Sequence, residues 1–374
     1  MSKYIQLHIL TSYPASNLNR DDLGRPKTVI MGNTQRLRVS SQSLKRAWRT
    51  SDVFQQAIGK EIGVRTKEMG KYVYISLESG RKLTDLIEDR DVTSISGIAS
   101  KDVDNKSKEI AKAIAGVFGK TKSLPTKKEE IEKDPLLDLE IEQLAHFSPS
   151  EIKGIERLIE ECRTNGAVPE GGQLELLRRE NQAADIALFG RMLAASRRYN
   201  IEAAVQVAHA MTVHKTEVED DFFTAVDDLN VEDSGAGHMG IAEFGAGLFY
   251  LYVCVDRELL KENLGDDQDL TSRTLQALCR AACTISPGGK QNSFASRAYA
   301  SYCLAEKGDA QPRTLSVAFL KPVSGDDLLE KAVTCIEKTK SKMENVYGVI
   351  SESKSFNAAQ GTGKLDEICG FVAE

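Results

Sequence analysis

Fourteen residues, "RLRVSSQSLKRAWR" (36 to 49), hold five cations, Arg36, Arg38, Lys45, Arg46 and Arg49, in a 374-residue chain whose formal net charge is -6. Side chains of this type bind anions, and their spacing says how. Leu37 and Val39 alternate with Arg36 and Arg38, the period of two that marks a half-buried strand, so the arginines share a face. After the serines the period changes. Leu44, Ala47 and Trp48 fall three and four apart, while Lys45 and Arg49 lie four apart elsewhere on the same helical surface. The expected unit is strand, polar turn, helix. Ser40 or Ser41 is its N-cap, with no Glu or Gln three residues later to close a capping box. Cations at helical spacing repel by roughly 0.2 to 0.5 kcal/mol, and a helix start presents unpaired N–H groups with positive partial charge. An anion, phosphate first, relieves both. On this reading Arg46 and Trp48 serve solvation and packing.

Other residues offer chemistry more weakly. "PGGKQNS" (287 to 293) carries Lys290 on a glycine turn, but Gln291 follows where a Walker loop needs Ser or Thr. It reads as a basic turn beside a polyanion or as a plain turn. "GAGHMG" (235 to 240) has the letters of a dinucleotide loop without the strand that must precede it, and reads as a glycine-rich turn. Asp220, Asp221, Asp227 and Asp228, with His209, His214 and His238, are metal-ligand types. His209 and His214, five apart, face opposite ways on a strand and stand apart on a helix. Solvated carboxylates on a projecting loop are expected, with no metal and no cofactor. Ser40, Ser41 and Ser43 have no evident His/Asp partners for nucleophilic catalysis. Phe222 and Phe223 interrupt the acidic stretch, so one ring either covers a surface or a base, or anchors the loop to the core.

The elements that must position these residues follow from composition and period. With 41% hydrophobic and 28% charged residues, the chain can bury a large core and is not generally disordered. Residues 1 to 50 hold nine Lys and Arg against Asp21 and Asp22, a balance of +7 that leaves -13 for the rest, so the mean charge hides a basic region. The seven cysteines are odd in number and scattered without a CxxC pair, which suggests neither disulfide framework nor zinc cluster. The start is too polar for a signal peptide, and the longest apolar run, "GLFYLYVCV" (247 to 255), is too short to span a bilayer. A soluble protein of a reducing cytoplasm is expected. Strands are expected at "YIQLHIL" (4 to 10), "AAVQVAHAMTVH" (203 to 214), "AGLFYLYVCVD" (246 to 256) and "RTLSVAFL" (313 to 320). Helices are expected at 107 to 118, 149 to 163, 270 to 282 and 326 to 343. A loop over 11 to 28 carries Arg20, Arg25 and Lys27, an irregular acidic stretch follows His214, and 119 to 135 has the composition of a solvated linker. Strands from both ends thus flank a charged, helical stretch from roughly 52 to 185, an α+β layout.

Taken in order, "LNRDD" (18 to 22), "RVSSQSLKRAWR" (38 to 49), "DIALFGRM" (185 to 192), "AHAMTVH" (208 to 214), "FFTAVDDL" (222 to 229), "GAGHMG", "EFGAGLFY" (243 to 250) and "PGGKQ" (287 to 291) resemble one family. It is the CasC backbone subunit of the type I-E CRISPR Cascade surveillance complex. The match is poor across roughly 52 to 185 and the last thirty residues. The resemblance implies an RNA-recognition-motif-like (ferredoxin-like) palm from 1–51 and 186–374, an inserted helical finger domain at 52–185, and a protruding thumb loop at about 215–240. It implies several copies set head to tail along one guide RNA, contacts that naturally generate a helical filament. Carried over by motif, Lys27, Ser40, Gln42, Lys45 and Arg49 contact the guide backbone, with Arg20 beside them. Lys290 is counted with these RNA-binding residues. Met192 wedges between guide bases, an apolar insertion that kinks nucleic acid. Phe223 and Thr224 belong to the thumb, which folds over the guide on a neighbouring copy and displaces a base at regular intervals. Sequence choice is left to base pairing with target DNA. The implied partners are guide RNA, target DNA through the guide, further copies of the chain, and large, small and guide-end-binding subunits, with no membrane. No catalytic role is implied. The alternative is a metal-dependent endoribonuclease, because backbone subunits of other CRISPR types cleave guide-paired target RNA with a loop aspartate and Asp21 and Asp22 lie comparably. The scaffold is preferred, since the motifs match the DNA-targeting, non-cleaving group.

Overall fold

A computed structural model describes residues 2–90, 102–178, 183–226, 236–349 and 351–374. Its chain divides into two compact units: Met1–Ile58, Val205–Glu258 and Thr271–Glu374 form the first, and Gly59–Ala204 with Leu259–Leu270 the second. The strands are β1 (Tyr4–Ser16), β2 (Thr28–Met31), β3 (Thr34–Val39), β4 (Val64–Thr66), β5 (Ala145–Phe147), β6 (Val205–Val207), β7 (Ala210–Thr212), β8 (Glu219–Val226), β9 (Ala236–Asp256), β10 (Ala300–Gly308) and β11 (Glu352–Asn357).

The first unit is built on an antiparallel sheet in the order β11-β10-β1-β9-β7-β3-β2, with β6 and β8 also paired to β9. Its centre is β1, bonded to β10 on one side and β9 on the other. Both faces of β1 are buried: Ile5, Leu7 and Ile9 on one, Gln6, His8 and Leu10 on the other, each at most 2% exposed. On the first face Cys283, in helix Gln268–Thr284, meets Cys303 of β10, and Cys279 meets Cys369 of helix Leu365–Ala373. On the second, Leu10, Tyr250, Tyr302 and Leu304 pack with Leu315, Phe319 and the Ala332, Val333 and Ile336 side of helix Leu328–Tyr347. The alternation at residues 4 to 10 thus reflects a central strand whose polar members are satisfied internally. The Gln6 side-chain oxygen accepts from the Tyr252 hydroxyl at 2.8 Å and the Arg313 N–H at 2.9 Å. Burial pushes the His8 pKa down, so the ring is neutral. It stands 2.8 Å from the Tyr250 hydroxyl and 2.9 Å from Glu306. Arg313 and Ser351 also donate to Glu306, and these bonds hold that carboxyl well below its ordinary range despite a burial that acts the other way.

Four sequence expectations are corrected. The 313–320 segment is no strand: Ser316–Phe319 is a 3-10 turn lying over the sheet, anchored by Arg313 to Glu306. The 203–214 run is two strands. Val207 faces Val253 while Met211 faces Tyr250, so β6–β7 carries one more residue than β9 between these pairs, and the bulge falls near His209. The stretch after His214 is not wholly irregular, because β8 pairs with β9 as a hairpin. Ala236–Gly240 is therefore the extended start of β9 rather than a turn. Distant in sequence, Cys279, Cys283, Cys303 and Cys369 form one buried group of free thiols.

The second unit is mainly helical around Val73, Ile114, Phe118, Phe147, Ile155 and Ile159. Helices Met69–Ser79, Asn105–Phe118 and Pro149–Asn165 supply most of this core, and β4 pairs with β5. The 119–135 stretch contains a helix, Lys128–Lys133. Pro149–Asn165 starts with a complete capping box, Ser148 with Glu151, which satisfies two first-turn donors.

Candidate nucleic-acid interface

Helix α1 (Ser41–Arg49) follows β3 directly and is pinned by Leu44 and Trp48, four apart and both buried. Ser40 is the N-cap, but its hydroxyl makes no capping bond. The Ser40 side chain is itself buried, and its N–H donates to Asn19 Oδ1 at 2.9 Å. The opposite side of α1 carries Gln42, Lys45, Arg46 and Arg49, at three- and four-residue spacing along one stripe. Gln42 and Arg46 are exposed; Lys45 and Arg49 are half-buried. Burial lowers the Lys45 pKa.

The loop before β2 is folded by its own short polar side chains. Asp21 Oδ1 accepts from the Leu23 and Arg25 N–H groups at 2.9 Å each, and Arg20 bridges to Pro26. Buried Asn17 donates to the Gly24 and Glu243 carbonyls. The "PGGKQ" turn packs onto this loop so tightly that a Cβ at Gly289 would lie 2.3 Å from the Leu18 carbonyl oxygen. Gln291, which breaks the Walker pattern, closes the turn by donating to the Pro287 carbonyl. Lys290 sits next to Gly289 with φ 46°, as the N-cap of the short Gln291–Phe294 helix. Loop, helix and glycine turn enclose a cleft of about 600 Å³ lined by Arg20, Asp21, Asp22, Ser43, Arg46 and Gly288–Gly289 among others.

Two expectations about the arginines change. Arg36 does not face an anion: it is fully buried and donates to the Thr212 and Phe319 carbonyls at 3.1 and 3.0 Å, joining β3 to the 3-10 turn. Arg46, assigned to solvation, lines the cleft with Arg20. The signal for Arg46 was present in its i+4 relation to Gln42; nothing local distinguishes Arg36 from Arg38. Arg38 approaches His209 Nδ1 at 2.7 Å. Arginine only donates, so Nδ1 is the acceptor and the ring proton is on Nε2. Burial first, then the charges of Arg38 and Lys27, lower the His209 pKa and keep the ring neutral. The half-buried Lys27 is held by its backbone, donating to Asn19 and accepting from Arg38.

The remaining candidates stand elsewhere. Phe223 and Thr224 are on β8, opposite Gly240 and Met239. A Cβ at Gly240 would lie 2.5 Å from the Phe223 ring, so that ring covers the glycine, while Phe222 is 64% exposed. Met192 belongs to the second unit and is 75% exposed. Asp227 and Asp228 lie outside the described residues, as does the His238 side chain. Among the described residues no three of His, Cys, Asp and Glu are arranged to hold a metal, and no helix is long and apolar enough to cross a membrane.

The fold, with its covered antiparallel sheet, is shared with chains of CRISPR complexes. One solved chain, titled "CRISPR RNA-guided surveillance complex, pre-nicking", shares 28% identity at a TM-score of 0.80, with 99% of each chain covered. A second, titled "CRISPR RNA-guided surveillance complex", is alike in fold at a TM-score of 0.60 and 24% identity, covering 99% of this chain and 98% of that one. The particular family is shown by the match of residues 5–369 to the Cas_CT1975 model, described as CT1975-like protein: the chain belongs to that family of Cas proteins. No curated protein sequence matches it.

Proposed function

We propose that this Cas protein acts in CRISPR defence as a non-catalytic, multi-copy backbone subunit that holds a guide RNA along its sugar-phosphate backbone and presents it to target DNA. In this reading 1–51 and 186–374 form an RNA-recognition-motif-like palm, 52–185 the finger domain, and the β8–β9 hairpin the thumb. The order β10-β1-β9-β7, fourth, first, third and second along the chain if β6–β7 is counted as one strand, supports the palm assignment. Both sheet faces around β1 are covered, so bases cannot stack on them as on an open recognition sheet. The nucleic acid instead follows α1 and its flanking loops. One observation carries this reading: 18–24, 43–50 and 288–289, far apart in sequence, close on one cleft beside the Lys45–Arg49 stripe. The resemblance of the chain to subunits of RNA-guided complexes supports it independently. Partners are the guide, further copies, and the large, small and guide-end-binding subunits.

The test is Lys45→Glu with Arg49→Glu. Both side chains lie off the buried Leu44–Trp48 face, so the fold should persist while guide loading and assembly are lost. Wild-type loading by the double variant would sink the proposal. A second reading, metal-dependent cleavage of guide-paired RNA, draws on Asp21 and Asp22 lining the same cleft. Asp21 already has a structural task in the turn, which leaves Asp22 as its candidate.

A further inference from the structure

We infer that Arg191 and Asn200 are positioning residues for Met192, bracing the backbone on both sides so that the side chain is a fixed apolar wedge. The inference rests on the guide-binding reading above. Gly190 has φ +79°, and a Cβ there would lie 3.0 Å from the Ile201 carbonyl oxygen, so the chain enters the strap by a route that favours glycine. Arg191 then exchanges both backbone hydrogen bonds with Ile201 at 3.0 Å each. Its guanidinium is buried and donates to the Glu151 carboxylate at 2.7 Å, to the His146 carbonyl at 3.2 Å, and to the Arg178 and Tyr199 carbonyls at 2.9 and 3.3 Å. Glu151 is equally committed: it closes the capping box with Ser148 and accepts from the Arg178 N–H at 3.0 Å. On the other side of Met192, Leu193 is buried and its N–H donates to Asn200 Oδ1 at 2.7 Å.

Met192 is therefore an exposed residue between two buried, hydrogen-bonded neighbours. A wedge must offset the cost of unstacking bases, and a mobile strap would add the entropy of its own ordering. The brace removes that second cost in advance. Neither Arg191 nor the Asn200 oxygen needs to touch nucleic acid for this effect. Arg191 variants break a buried ion pair and are open to misfolding, so the decisive variant is at Asn200, which is only half-buried.

The test uses the complete chain loaded with a guide carrying 2-aminopurine, whose fluorescence rises when a base is unstacked. Met192→Ala should abolish the rise. Asn200→Ala should lower the population of displaced base about fivefold, the equivalent of releasing one fixed backbone residue. Asn200→Asp, which keeps an acceptor for the Leu193 N–H, should restore it, and Met192→Ala with Asn200→Ala should be no worse than Met192→Ala alone. In the two Asn200 single variants the salt dependence of guide binding should stay as in the parent chain. A wild-type signal from Asn200→Ala while Met192→Ala is dark overturns the positioning role alone. A wild-type signal from Met192→Ala removes the wedge itself and the inference with it.

Discussion

Replacing Arg20 and Arg46 together by Ala removes the two cations that line the cleft, one from the loop and one from α1. Both are exposed, and the buried anchors Leu44 and Trp48 are untouched, so stability should change little. If each arginine meets one phosphate of a single strand, the slope of log K against log salt falls by about 0.7 per contact, or about 1.4 for the pair. Between 50 and 200 mM salt, a fourfold change, the parent chain should then lose about sevenfold more affinity than the variant. The variant binds more weakly at every salt concentration, and its disadvantage shrinks as salt rises. Anisotropy titrations of a labelled single-stranded RNA at several salt concentrations measure both slopes directly. Parallel lines would refute the reasoning, because weaker binding with an unchanged slope means that the arginines act through loop structure rather than on phosphates.

Glu306→Gln leaves Arg313 and His8 without their buried partner and should cost about 3–5 kcal/mol in denaturant unfolding at neutral pH. Since the folded pKa of Glu306 lies below the unfolded value of about 4.3, the unfolded chain binds the extra proton between the two. Its stabilisation is present above that unfolded value and fades as pH falls through the folded pKa, so acid unfolding of the variant should be less steep. Gly240→Val should displace the Phe223 ring and forfeit roughly 0.2–1 kcal/mol of cross-strand packing, read as faster proteolysis of the β8–β9 hairpin. Asp22→Ala should leave complementary RNA as intact as the parent chain leaves it, with magnesium present; cleavage by the parent chain that the substitution abolishes would favour the nuclease reading.

The strand-turn-helix unit at 34–49 was legible because local period and burial agree there: Leu44 and Trp48 repeat at helical spacing and do face the core. The same local logic misread 313–320, where Leu315 and Phe319 pack on a sheet face beside the Arg313–Glu306 pair, a partner beyond any local pattern. It also misread Arg36, because strand period assigns a face and cannot say that the 3-10 turn will cover it with the Phe319 carbonyl. Ala236–Gly240 looked like a turn on composition, and pairing with β8 overrode the conformational freedom of its glycines. At the site, the helix stripe and the loop cations were each visible in sequence. Their meeting depends on Gly289 touching Leu18, a contact across most of the chain that only the fold supplies.

The central claim, that this chain is a scaffold for a guide RNA, is tested most directly by the nucleic acid that accompanies it. Native mass measurement of the complex purified from its host, before and after ribonuclease, is expected to find several copies of the chain on one small RNA of defined length. Its protein contacts should be lost in the Lys45→Glu, Arg49→Glu chain. A complex free of RNA, or one carrying RNA of random length and sequence that the double variant retains equally, would contradict the account.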